Sequence, residues 1–202
     1  MIRLRRPGLI VLATLMLPAM MVVGCGGNSS NPTDPPTCLS FVPAQAPAAQ
    51  AITSAIGIST CSSLTLNLMV MEVTDLWGGG AVVRFPSSLV NFAGADAIGS
   101  TLIQDGNPVR VFGVPGDVVV VSPTVSEVTV GISRFGANEP GIDVGAGAEV
   151  LLRISFTMGN GTGTGQIELL DPELLDVTNP AIAPQPVPYV VTGQGGAVTV
   201  GN

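Results

Sequence analysis

Ser63-Leu64-Thr65-Leu66-Asn67-Leu68-Met69-Val70 decides how the rest of this chain is read. Leu64, Leu66, Leu68 and Val70 alternate with Thr65, Asn67, Met69 and Met71, the period-two pattern of a strand that buries one face. Downstream the same texture recurs in Gly80 to Phe85, Leu89 to Phe92, Val109 to Val114, Asp117 to Val121, Glu127 to Phe135, Glu149 to Met158, Gly165 to Leu170, Tyr189 to Thr192 and Ala197 to Val200. The gaps carry turn residues: Gly78-Gly79-Gly80, Asp105-Gly106-Asn107-Pro108, Pro115-Gly116, Asn138-Glu139-Pro140-Gly141 and Gly159-Asn160-Gly161. Short strands at this spacing, with no long helical pattern, predict an all-β antiparallel sandwich of about nine strands. Their apolar faces need a second sheet to cover them. Upstream, Pro43 to Ala55 is rich in Ala, Pro and Gln, and one short helix is expected over 46–56.

The first residues are of a different kind. Arg3, Arg5 and Arg6 precede a nearly unbroken apolar run from Leu9 to Val23, then Val22-Val23-Gly24-Cys25. This is the layout of an export signal: the run is too short to span a bilayer as a helix and ends in small residues. The tripeptide before Cys25 resembles the lipobox of bacterial lipoproteins, whose cysteine is lipidated after cleavage. The resemblance implies a signal over 1–24, lipidation at Cys25 and anchoring through several acyl chains, which hold stably where one would not. With Gly26 rather than Asp after the cysteine, it implies the outer membrane if the cell is Gram-negative, periplasmic or surface-exposed. Residues 26–37, GGNSSNPTDPPT, read as a flexible to semi-extended tether. A domain over 38–202 follows.

With Cys25 lipidated, Cys38 and Cys61 are left as an even pair in an oxidising compartment. A bridge between them is expected, with two buried thiols as the alternative. Loss of Arg3, Arg5 and Arg6 with the signal takes the net charge from −7 to −10, and the chain has no lysine. An acidic surface without basic patches excludes charge-driven binding of nucleic acid.

Val73 to Gly201 resembles a cohesin module on three segments. Val82-Val83-Arg84-Phe85-Pro86-Ser87-Ser88-Leu89-Val90 is similar to the family's strand of apolar, x, Tyr, Asp-Pro and a Val-Leu pair, with Phe85 in place of Tyr and no Asp. Glu127 to Ser133, followed by Gly147-Ala148-Glu149-Val150-Leu151-Leu152-Arg153-Ile154-Ser155-Phe156, is similar to its strand, loop, Gly-x-x-hydrophobic and Ile-x-Phe signature. Gly195-Gly196-Ala197-Val198-Thr199-Val200 resembles its closing Gly-Gly strand. The resemblance implies jelly-roll topology, related in fold to some carbohydrate-binding modules, and a flat sheet face that receives a dockerin-like module of a polysaccharide-degrading enzyme. On that face many cohesins present an Asn and an Asp where this chain reads Gly78-Gly79-Gly80-Ala81. Trp77, Gly78, Gly80 and Arg84 are therefore the candidate partner-binding residues, with Trp77 an aromatic anchor or a cover for the sandwich edge.

Catalytic and cofactor chemistry finds little footing. A chain without histidine has no Ser-His-Asp or Cys-His arrangement and no imidazole metal site. The densest acidic group, Asp171, Glu173 and Asp176 in LLDPELLD, reads as a solvated loop or one helical turn begun by Pro172. The run GNGTGTG over 159–165 lacks the Gly-Lys-Ser/Thr ending of a phosphate loop and reads as a mobile hairpin. Asp105 with Asn107, or Asn138 with Glu139, offers loop oxygens without EF-hand spacing, so no calcium and no other cofactor is expected. The expectation is a non-enzymatic envelope module that docks a protein. The alternative is a carbohydrate-binding or purely structural surface sandwich, disfavoured because Trp77 and Tyr189 are the only Trp and Tyr available to stack on a polysaccharide.

Overall fold

The computed structural model describes residues 37–103, 106, 108–135, 140–177, 185–186 and 191–201. The signal, Cys25, the tether to residue 36, the candidate loop oxygens Asp105, Asn107, Asn138 and Glu139, and Tyr189 lie outside them.

In chain order the strands are β1 (Cys38–Pro43), β2 (Ala51–Ser59), β3 (Ser63–Val70), β4 (Val73–Pro86), β5 (Val90–Asp96), β6 (Val109–Phe112), β7 (Val119–Ser122), β8 (Val125–Arg134), β9 (Ile142–Val144), β10 (Glu149–Met158), β11 (Gly163–Asp176), β12 (Gln185–Pro186), β13 (Thr192–Gln194) and β14 (Gly196–Gly201). They form two sheets. The larger runs β1-β14-β11-β4-β8-β6, with β7 also on β8, β9 on β4 and β12 on β11; the smaller runs β13-β2-β3-β10-β5. Strands adjacent in sequence fall repeatedly in opposite sheets, as β1 and β2, β3 and β4, β4 and β5, and β10 and β11 do. This exchange is the jelly-roll trait expected, and the chain is an all-β sandwich.

The core follows from the alternation. Leu64, Leu66 and Leu68 sit opposite Phe156, Ile154 and Leu152 of β10, and all six are buried. From the other sheet Ala81, Val83 and Phe85 of β4 and Val128, Val130 and Ile132 of β8 close the same cluster. Phe156 packs edge-on against Phe85 and Phe92, with ring centroids 5.5 and 5.7 Å away.

Three expectations are corrected. Residues 51–59 of the expected 46–56 helix and its flank form strand β2. The β-branched Ile52, Thr53, Ile56 and Ile58 outweigh the alanines, because they suit a strand paired with β3, which buries Ala51 to Ser54 and leaves Ile56 and Ile58 exposed. The LLDPELLD segment is not a loop or helical turn: it continues β11 along β4, with a register shift between Leu170 and Glu173. Asp171 at the shift has φ 45°, which a short polar side chain tolerates, and Pro172 sits where the ladder is already interrupted. Finally, the glycine run after Met158 is no hairpin, since β10 and β11 lie in different sheets. It crosses between them, held by Gly159 N–H donating to Leu89 O and Gly161 N–H to Ser88 O, each 2.7 Å.

The Cys38–Cys61 disulfide is present. Its position shows what it does: Cys38 opens β1 in the larger sheet and Cys61 lies in the β2 to β3 turn of the smaller one. Leu39 N–H donates to Cys61 O at 3.1 Å, and Ser59 Oγ donates to Leu39 O at 3.3 Å. The bridge therefore ties the edge strand of one sheet to the other sheet.

Candidate docking face

On β4 the alternation turns Ala81, Val83 and Phe85 inward and leaves Gly80, Val82 and Arg84 on the outer face. On β8 the outer residues are Glu127, Thr129, Gly131 and Ser133. Register then builds rows across the sheet. Leu170, Val82 and Thr129 form one. The next is Glu173, Gly80, Gly131 and Phe112, drawn from β11, β4, β8 and β6. That row has side chains at its ends and none in the middle.

The result is a groove of about 370 Å³, walled by Trp77, Val82, Phe112, Asp171, Glu173 and Leu175. The two glycines of that row have different reasons. A Cβ on Gly80 would lie 2.3 Å from the Val130 carbonyl oxygen, so close backbone approach between β4 and β8 demands glycine there. At Gly131 the nearest atom to such a Cβ is Gly79 O at 3.2 Å, and the next side chain is Phe112 at 3.8 Å. A side chain at Gly131 would press on Gly79 O and project toward the Phe112 ring, so its absence leaves the hollow open there. Phe112, at 49% exposure, is an aromatic left in water at the rim.

Charge is arranged unevenly over this face. One wall carries Asp171 and Glu173, and among the described residues neither is paired with a cation. The next outward row along β4 is an ion ladder. Arg84 Nε donates to Glu127 Oε1 at 2.7 Å, its Nη2 lies 2.6 Å from the same oxygen, and its Nη1 donates to Glu168 Oε2 at 3.3 Å. The hydrogen bond to Glu127, with help from Glu168, holds the guanidinium above its ordinary range, so it stays charged throughout. Beyond the ladder lies a second hollow of about 400 Å³ edged by Ser88, Thr124, Thr162 and Thr164.

Of the candidates from sequence, Trp77 and Gly80 line the groove. Gly78 lies alongside, in register with Ser133 and Leu175, and Arg84 forms the boundary between the two hollows. Gly131, Phe112, Asp171 and Glu173 were not legible as partners to them. A glycine at an outward position inside the β-branched run of β8 was the one available signal. The groove's carboxylates share one wall, facing Phe112 and Gly131 rather than another carboxylate, which is not the opposed pair that glycoside hydrolysis needs. Among the described residues no group of three or more His, Cys, Asp or Glu is placed to hold a metal ion.

No protein-family model matches this sequence, and no curated protein does either. Solved structures do. The chain is similar to a type II cohesin module in a cohesin–X-dockerin complex from Acetivibrio cellulolyticus, at 9% identity and TM-score 0.46 over 78% of this chain and 97% of that one. It is similar to the second type II cohesin module of the adaptor scaffoldin of the same organism, at 9% identity and TM-score 0.47 over 80% and 88%. A non-cellulosomal cohesin from the archaeon Archaeoglobus fulgidus shares 10% identity at TM-score 0.38 over 77% and 87%.

Proposed function

We propose that this chain is a non-enzymatic, lipid-anchored module of the cell envelope that docks a dockerin-like protein partner on the outer face of β11, β4, β8 and β6. The observation that carries the proposal is the glycine-floored groove on a flat sheet face, with half-buried Trp77 and exposed Phe112 beside it and no opposed reactive groups in it. Concave apolar ground with an aromatic edge and a charged rim is what a protein interface uses to seat anchor residues. The lipid at Cys25 and the tether after it would hold this face at the membrane and concentrate the partner there.

Two experiments test the two halves. Cys25→Ser is expected to move the protein from the membrane fraction to the soluble fraction and to abolish incorporation of radiolabelled palmitate; unchanged partition would remove the anchor from the proposal. For docking, the mature chain and its Val82→Arg variant are used as bait against envelope and culture supernatant. A captured protein carrying duplicated calcium loops, lost with Val82→Arg, supports docking on this face. Depletion of the chain by insoluble polysaccharide, with no protein captured, replaces it with carbohydrate binding.

A further inference from the structure

We infer that the hollow over Gly131 receives one bulky apolar side chain of the partner, flanked within about one helical turn by a lysine or arginine that reaches Asp171 and Glu173. This deepens the docking proposal and rests on it. Gly80 and Gly131 give the floor no side chains, so the anchor is recognised by shape and the flanking cation by Asp171 and Glu173.

The floor offers almost nothing polar to bind. Gly80 and Gly131 have no side chains, and the backbone around them is spent on the β4 to β8 and β6 to β8 ladders. Thr129 and Ser133 are the only hydroxyls among the lining residues. A polar group inserted between Trp77, Val82, Phe112 and Leu175 would lose water and find few partners beyond the Thr129 and Ser133 hydroxyls. An apolar side chain there gains contact on every wall and covers the exposed ring of Phe112.

The sign of the flanking charge follows from the rim. Asp171 and Glu173 have no cation among the described residues, while the nearby Arg84 is already engaged by Glu127 and Glu168. On the β11 wall an acidic partner would meet two free carboxylates, the exposed Arg110 lying across the groove on β6 in register with Ser133. A basic residue beside the anchor meets the opposite, and long basic side chains can cross an apolar rim while keeping their heads near water.

The test is a selection of displayed random and helix-biased peptides on the mature chain carrying Cys25→Ser. The result expected is a common pattern of one large apolar residue with Lys or Arg within four positions. Filling the hollow with Thr129→Leu, or with Gly131→Val, should weaken the selected peptides by roughly 30-fold or more, the loss expected of an anchor denied its pocket. Thr129→Leu keeps the test alive if Gly131→Val fails to fold, because residue 129 is already an exposed side chain in a strand. Asp171→Asn with Glu173→Gln should weaken them by roughly 5-fold and flatten their salt dependence. Peptides that lose binding with Val82→Arg but lack the apolar residue, or bind the filled variants equally, overturn this inference and leave docking on the face standing. Peptides indifferent to Val82→Arg bind elsewhere, and they, or a selection that enriches nothing, overturn both.

Discussion

Phe156→Ala is expected to cost about 3–5 kcal/mol of folding stability. The ring is 1% exposed and touches both sheets at once. Within its own sheet it sits opposite Leu64 and Phe92; across the sandwich it meets Phe85 of β4 edge-on. Removing it takes away the transfer of a large apolar side chain and leaves a cavity walled by β3 and β4, each hydrogen-bonded on both sides, and by the edge strand β5. Such walls cannot collapse inward without breaking register, so the cost belongs near the top of the usual range. Against a total of about 5–15 kcal/mol for a domain, the variant keeps little margin. Urea unfolding followed by far-ultraviolet circular dichroism measures it, with Val42→Ala as the control. Val42 is 67% exposed on β1, and a change there should stay within about 0.5 kcal/mol. A Phe156→Ala loss as small as the control's would mean the two sheets are not held by this cluster.

Loss of the disulfide, by Cys38→Ser with Cys61→Ser, is expected to cost about 3 kcal/mol. The closed loop contains β2 and the β2 to β3 turn, with a sequence separation of 23. Opening it frees the unfolded chain more than it disturbs the folded one, so the urea midpoint should fall while the slope rises, because the denatured state expands. There is also a local consequence. β1 is the edge of the larger sheet, paired only with β14, and the bridge is its covalent tie to the smaller sheet. Amide exchange in β1 should therefore quicken more than in β4 or β8, which are paired on both sides. A variant with unchanged midpoint and unchanged exchange in β1 would show that β14 alone holds the edge.

The two results bear on different levels of the molecule. The aromatic cluster depends on which strands face each other across the sandwich, a long-range matter. The disulfide depends on two residues near the start of the domain, and its pairing followed as an expectation once Cys25 was set aside for lipid. Between them lies the groove, where the readable part and the hidden part meet in one row of residues. Gly80 and Trp77 stand in a run whose glycines mark it as unusual. Gly131 sits among valines, and nothing near it in sequence says that it will lie beside Gly80. Glu173 was hidden for another reason: Pro172 argues against a continuing strand by its own chemistry, and only the register shift against β4 shows how a proline is accommodated there.

By itself the sequence determined the class of this protein. Alternation with period two forces strands with one apolar face, glycine and proline punctuation keeps them short, and two such sets can hide their apolar faces only against each other. It likewise pointed to the pairing of Cys38 with Cys61, which the structure shows, and it holds no histidine. Tertiary structure decided which strands became neighbours, and with that the site. β2 became a strand because β3 was there to pair with it, and β11 ran on past Pro172 because β4 continued beside it. The groove exists because register across β11, β4, β8 and β6 sets two missing side chains side by side, which no local pattern specifies: register is a relation between strands distant in sequence, and a shift of one residue would turn both glycines to the other face.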